Sequence, residues 1–504
     1  MNGPRARETV QRLWNASKSL QGGGVSYYEY VTELTYLLLL KMLEEVSRDG
    51  KRLEERLPPE CRWGALKKLE GEERLVRYRA LLLELGTRAD INFPLVKQVF
   101  TDAKTSLTKA TALTSLITTI DAIDWYAAEE DGLGDLYEGL LERTTSERKS
   151  KAGQYFTPRP LIDAIIELVK PVAGEVIQDP AAGTGGFLIA AHRAICRATD
   201  DLLKLTPEEA YWQRHHAYQG AELITGTHRL NTMNLLLHGI DEPIDCLDAL
   251  SSDAEKFEPA KLILTNPPFN KFPERVSRSN FVITAGAAKG PLPFVEHVVR
   301  GLEIGGRAAI VVPDNVLFED NMGRELRTWL MDLCDLHTIL RLPTGIFYAQ
   351  GVKTNVMFFT KRSEDRVAAT KAVWIYDLRA QMPSFGKSRV LTAEDFAPFI
   401  SAYGDDRQGS TPRNERRGFF TEVVRSTRVD EGEAGRFRVF ARAEIAKRND
   451  NLDISWLRDD EEVVEEGLTE PDDIAAAILG HLRAAIMEME TVADELVEVG
   501  EVEA

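Results

Sequence analysis

The chain has 504 residues, 43% hydrophobic and 28% charged, a balance that excludes disordered and collagen-like classes and allows more than one core. Its four cysteines, Cys61, Cys196, Cys246 and Cys334, form no Cys-x-x-Cys pair, which argues against a disulfide framework or a zinc site and for a reducing compartment. The net charge of −18 speaks against a nucleic-acid partner, yet residues 459–504 hold sixteen acidic residues against one basic, Arg483, so the remainder is close to neutral and leaves room for local basic patches.

In chain order, Val10, Leu13, Trp14 and Ser17 sit at helical spacing, Gly22-Gly23-Gly24 interrupts, and the pattern resumes from Tyr27 to Val46. The apolar run from Leu34 to Leu43 contains Lys41 and is about half of what a membrane span needs, so it reads as a buried helix. The amino terminus has no apolar h-region, which predicts no secretory signal, no membrane partner and a cytoplasmic protein. Helical spacing continues to about Leu141, giving an all-α domain over residues 1–148. Arg143, Arg148, Lys149 and Lys151 then mark a linker, or a loop that could touch DNA phosphates.

From 149 to 380 short apolar runs alternate with helical stretches. Strands are expected at 176–179, 217–222, 261–265, 307–313, 336–342 and 355–361. Helices are expected at about 160–170, 185–199, 226–238, 291–304 and 320–334. This alternation predicts an α/β domain with a mostly parallel sheet and helices on both faces, whose ligands bind beyond the carboxyl ends of the strands. Residues 381–504 form a carboxyl-terminal region in which the pattern weakens. It ends in an acidic amphipathic helix from Ile474 to Val499, either a solvated surface or a docking element for a basic partner subunit.

Asp179-Pro180-Ala181-Ala182-Gly183-Thr184-Gly185-Gly186-Phe187-Leu188 joins a strand to a helix. Gly183, Gly185 and Gly186 permit a tight turn and close backbone approach to a ligand, with unpaired N–H groups on the helix that follows. Phosphate, dinucleotide and S-adenosylmethionine (SAM) sites all use such a turn. The dinucleotide fingerprint is broken at Leu188, and Asp179 would repel a pyrophosphate while attracting the ammonium of SAM. Glu222 ends the next strand, where it could accept from a ribose diol. Asp248 could accept from an adenine amino group, or simply serve a turn.

Lys261-Leu262-Ile263-Leu264-Thr265 runs into Asn266-Pro267-Pro268-Phe269. The two prolines fix φ and stop the sheet, so the segment leaves it as a rigid loop. A plain strand-ending turn does not explain an amide, a carbonyl and an aromatic face presented together. The lone pair of an exocyclic amine on adenine is delocalised. If the Asn266 side-chain oxygen and the Pro267 carbonyl accept its hydrogens, the lone pair turns toward a methyl donor without a general base. Phe269 would stack on the base, which must first leave the duplex.

With these residues together, the sequence resembles the modification (M) subunit of a type I restriction-modification system, an N6-adenine DNA methyltransferase. Beyond the glycine loop and Asn266 to Phe269, the likeness lies in Leu13-Trp14-Asn15, Val25-Ser26-Tyr27-Tyr28, Gly153 to Arg159, Gly305 to Glu319, Arg341 to Phe347, Lys353-Thr354-Asn355 and Asn451 to Ile454. The resemblance implies a Rossmann-like SAM-dependent fold. It implies SAM contacts from Gln154, Tyr155, Phe156, Thr157, Pro158 and Arg159, from Thr184 to Gly186, and from Glu222. It implies double-stranded DNA with a flipped adenine as substrate, two copies beside a separate specificity (S) subunit, and a motor-nuclease subunit for restriction. Many relatives have cysteine where this chain has Ala182. Two other readings stand beside it: methylation of a protein glutamine, served by a similar motif that usually carries tyrosine at the position of Phe269, and a non-catalytic SAM-binding scaffold.

Overall fold

The computed structural model describes residues 27–123, 157–407 and 428–457, apart from short gaps at 46, 49–50, 89–90, 92, 348–351 and within 381–388, and a few isolated positions elsewhere. The basic segment 143–151, the triplet Gln154, Tyr155 and Phe156, and nearly all of the acidic tail lie outside the described residues.

The amino-terminal region is helical. Helices α1 (Tyr27–Glu45), α2 (Gly71–Thr87), α3 (Pro94–Phe100) and α4 (Ala110–Asp121) enclose one apolar core that includes Leu34, Leu37, Leu75, Leu82, Val96 and Leu116. The run from Leu34 to Leu43 is buried within α1, and Lys41 keeps its charge there by pairing with Glu44 at 2.6 Å and with Glu45. Among the described residues no helix is long and apolar enough to cross a membrane.

The second region is built on an eight-stranded sheet of β1 (Ile177–Asp179), β2 (Tyr218–Gly220), β3 (Ala260–Thr265), β4 (Leu302–Pro313), β5 (Cys334–Arg341), β6 (Thr354–Lys361), β7 (Ala372–Asp377) and β8 (Phe437–Ala441). The spatial order is β8-β7-β5-β6-β4-β3-β1-β2. β1, β2, β3 and β4 are mutually parallel where they pair, and so are β5 and β7; β6 and β8 run against their neighbours. Side chains alternate between two cores, as the strand period requires. Leu262, Leu264, Ala309 and Val311 face one core, and Ile263, Ala308, Ile310 and Val312 the other.

Helices α5 (Arg159–Val169), α6 (Gly186–Thr199), α7 (Thr225–Leu237), α8 (Pro291–Gly301) and α9 (Met322–Leu333) supply the connections. The six expected strands and these five helices all form. The sheet also extends past residue 380, because β8 pairs with β7 and Phe396, Phe399, Tyr403 and Phe437 fill the core beside α5. The first core likewise borrows Leu230, Met233 and Leu236 from α7.

One buried ion pair locks this frame. Arg307 on β4 is 2% exposed and grips Glu175 with both terminal nitrogens at 2.8 and 2.9 Å. It also donates to the carbonyls of Val169 and Lys170 at 2.7 and 3.0 Å, satisfying the otherwise orphaned end of α5.

Candidate active site

The chain leaves β1, goes outward to β2, and returns to β3 on the other side of β1. The loops after β1 and β3 therefore diverge from neighbouring parallel strands at the same sheet edge, where open α/β sheets form a ligand crevice. The first loop is Pro180 to Gly185 and the second is Asn266 to Phe269, so the topology brings both sequence motifs to one place.

The glycine loop is zipped to the end of β2. Ala182 N donates to Ala221 O at 2.9 Å and Ala221 N to Asp179 O at 3.1 Å. A Cβ on Gly220 would stand 2.3 Å from the Asp179 carbonyl oxygen, so only glycine allows this approach. Gly185 holds φ +87° at the start of α6, and a Cβ there would meet Asn231, Leu235 and Ile189 at 3.2 to 3.5 Å. Ala181 N donates to Asp179 Oδ1 at 3.1 Å, an Asx turn that opens the loop.

Two buried carboxyls face this loop. Asp179 is 1% exposed and Glu222 7%. Burial pushes Asp179 up to about 7, against the opposing pull of the Thr265 hydroxyl and the Ala181 N–H and with added repulsion from Glu222. Burial likewise pushes Glu222 up to about 7, although Gly183 N and Ile224 N donate to it at 3.1 and 2.8 Å. Acids held this far above their ordinary range suit a site that receives a cation.

At the second loop, Asn266 Nδ2 donates to Thr157 Oγ1 at 2.9 Å. Asn266 Oδ1 is buried and has no hydrogen-bond partner among the described residues. The amide is thus fixed by its nitrogen, with its acceptor unused by any described residue. Pro267 is buried, Asn266 and Pro268 are half-buried, and Phe269 is 2% exposed, edge-on to Phe347 at 5.5 Å between ring centres.

Pro158 is buried beneath the start of α5, and Arg159 Nη1 donates to Gly186 O at 3.2 Å, joining α5 to the glycine turn. Thr184 offers its carbonyl to Asn234. Asp248 is engaged within the protein: Oδ1 accepts from Leu250 N at 2.9 Å and Oδ2 from Lys289 Nζ. That is a turn aspartate with an ion pair. Residues 270–290, which sequence patterns do not place, form a short hairpin, Phe272–Arg275 against Ala288–Lys289. Its return is clamped by Glu296, fully buried on α8, which accepts from Val282 N and Thr284 N at 2.7 Å each. These donors and Arg300 hold that carboxyl below its usual range despite burial.

Sequence reasoning missed Asn231 and Asn234 on α7. Their amide nitrogens donate to the carbonyls of Gly183 and Thr184 at 3.0 and 2.9 Å. Two asparagines three residues apart in Leu230-Asn231-Thr232-Met233-Asn234-Leu235 were the available signal, since uncompensated amides are costly in an apolar helix.

The family model described as N-6 DNA Methylase matches residues 128–466. The chain belongs to this family. It is 44% identical to the type I restriction enzyme EcoKI methylase subunit of Escherichia coli (strain K12) over 97% of this chain and 95% of that one. The StySJI methylase subunit of Salmonella typhimurium matches with the same identity and coverage. Among solved structures, the EcoKI M protein aligns with a TM-score of 0.55 at 40% identity, covering 97% of this chain and 96% of that one. A chain from a structural study of assembly and conformational transition in a type I restriction-modification system aligns with a TM-score of 0.71 at 24% identity over 98% and 99%, a likeness of fold. The chain is therefore an adenine-specific DNA methyltransferase of the type I methylase-subunit group, and neither the glutamine nor the scaffold reading is favoured.

Proposed function

We propose that the crevice between the loops after β1 and β3 carries methyl transfer from SAM to the N6 amine of a flipped adenine in DNA. The residues present fit the cofactor: a glycine cradle, and two buried carboxyls raised toward neutrality in the absence of a cation. Asp179 would face the ammonium group and Glu222 the ribose hydroxyls, with Arg159, Thr184 and Gly186 completing the cradle. SAM supplies the electrophilic methyl group when bound. Asn266 Oδ1 and the Pro267 carbonyl accept the two N6 hydrogens, localise the nitrogen lone pair and orient it. Thr157 keeps the amide turned so that the oxygen, not the nitrogen, meets the base. Phe269 is 2% exposed and packed edge-on against Phe347, so it would have to turn out of that packing to stack on a base outside its duplex. By analogy with the relatives, a separate S subunit sets the target sequence, two copies of this chain flank it, and a restriction subunit joins the full complex.

The observation that carries this reading is the buried Asn266 oxygen without a partner among the described residues, whose nitrogen is already held. The test is Asn266→Ala, assembled with the S subunit and assayed for methyl transfer to unmethylated target DNA. We expect kcat to fall by about 10²–10³ with SAM binding retained. A variant that keeps kcat within a few-fold of the parent defeats the mechanism.

A further inference from the structure

Helix α7 belongs to two cores at once. Arg229, Leu230, Met233 and Leu236 lie along one stripe, and Asn231, Asn234 and Leu235 along another, the two centred about 165° apart at about 100° per residue. The first stripe enters the helical amino-terminal core. Arg229 Nε and Nη2 donate to the carbonyls of Val99 and Thr101 at 2.7 and 2.6 Å, at the end of α3, and its guanidinium lies 5.4 Å from the centre of the Tyr36 ring on α1. The second stripe enters the methyltransferase core through Leu235 and holds the glycine loop through the two asparagines.

Both asparagines are essentially fully buried, at 0% and 1% exposure, and each amide oxygen lacks a partner among the described residues. A leucine at either position would avoid that desolvation cost. What the asparagines gain is the donor to Gly183 O and Thr184 O. Their cost is thus offset only through the loop.

We infer that α7 is a strut by which the helical amino-terminal domain holds the cofactor loop in shape, with Asn231 and Asn234 as positioning residues for SAM and Arg229 as the tether on the domain side. Movement of the helical domain is transmitted to the loop because α7 cannot shift without breaking contacts on both stripes. By linkage, SAM binding in turn stiffens the junction between α3 and α7. This inference rests on reading the glycine loop as the SAM site.

The experiment uses the full chain assembled with the S subunit and measures SAM Kd, together with KM for SAM and kcat on target DNA. Asn231→Ala and Asn234→Leu should each raise Kd and KM for SAM about tenfold, while kcat at saturating SAM falls less than threefold. Asn234→Leu should keep Tm within a few degrees of the parent, because it removes an unpaired buried amide oxygen; a purely structural residue would lose stability along with affinity. Arg229→Ala, which touches no atom of the loop, should weaken SAM binding several-fold, and its effect should be non-additive with that of Asn231→Ala. Unaltered SAM affinity in the asparagine variants, or in Arg229→Ala, overturns the strut. If the parent chain binds no SAM, or Asp179→Asn binds it at full strength, the reading of the site itself fails, a result distinguishable from failure of the strut alone.

Discussion

Lowering the pH should weaken SAM binding through the two carboxyls that face the glycine loop. In the free protein Asp179 and Glu222 are each pushed up to about 7 by burial. The ammonium group beside Asp179 and the ribose hydroxyls donating to Glu222 both favour the ionised carboxylates, so binding releases protons and affinity rises as pH passes upward through that value. One carboxyl titrating at 7 is about half ionised at pH 7 and about 3% ionised at pH 5.5. If only the ionised form holds the ligand, Kd increases about 15-fold over that interval for one group. Two groups that repel each other give more than this but less than its square. The amine of SAM, with a pKa of about 7.7–8.0, stays protonated across the range. Isothermal titration at pH 5.5, 6.2 and 7.0, in buffers of differing ionisation enthalpy, reads both the affinity and the proton count. We expect about half a proton released per carboxyl at pH 7, and a shallower slope for Glu222→Gln. The same shift acts on the free fold with the opposite sign. The folded carboxyls retain protons that the unfolded chain sheds near pH 4, so their contribution to stability is present below that value and is lost as pH rises through 7. Stabilisation by SAM should therefore be larger at pH 7.5 than at 5.5. An affinity that is flat between pH 5.5 and 7, with no proton release, refutes ligand binding by the ionised forms of both residues.

Two further perturbations follow from geometry. Gly185→Ala places a Cβ at φ +87° within 3.2 to 3.5 Å of three side-chain atoms; it should lower stability by about 1–2 kcal/mol and raise SAM Kd at least tenfold, measured by thermal denaturation and equilibrium binding. Arg307→Met leaves Glu175 buried beside the unsatisfied end of α5 and should cost about 3–5 kcal/mol in urea unfolding. Pairing it with Glu175→Leu should recover much of that loss, and a double variant no better than the single one would contradict the account.

The sheet was legible because its central strands are short apolar runs bounded by turn residues, as in Lys261 to Thr265 before two prolines. β7 and β8 were less legible. Ala372 to Asp377 is an apolar run with no alternation to separate strand from helix, and Phe437 to Ala441 is an edge strand exposed enough to blur its period. The site's two motifs stood out because each breaks a local rule, three glycines at a helix start and two prolines at a strand end. The contacts that orient them did not. Asn266 and Thr157 are 109 positions apart, and Gly183 and Asn231 are 48 apart; neither pairing leaves a periodic trace. Asp248 reads equally as a ligand or a turn residue in sequence, because its pairing with Lys289, 41 positions on, leaves no periodic trace either.

The two walls of the crevice meet opposite electrostatic demands, and the strand order lets them do so. On the proposed reading, a sulfonium-bearing ligand with an ammonium group calls for negative charge, which the β1 and β2 ends would provide through Asp179 and Glu222, two acids whose ionised forms such a ligand favours. The adenine amine is neutral and must be polarised without taking up a proton beforehand, which calls for uncharged acceptors, and the β3 end provides an amide and a proline carbonyl. A carboxylate in place of Asn266 would have no N–H to offer Thr157 and would add a third negative charge to a buried cluster whose acids already sit near 7. Because β1 and β3 are neighbours whose loops part at the switch point, charge is concentrated on one side and neutral acceptors on the other. On the proposed reading the methyl group would pass between these two sides, and the roles proposed for Asp179, Glu222 and Asn266 would follow from which strand each one ends.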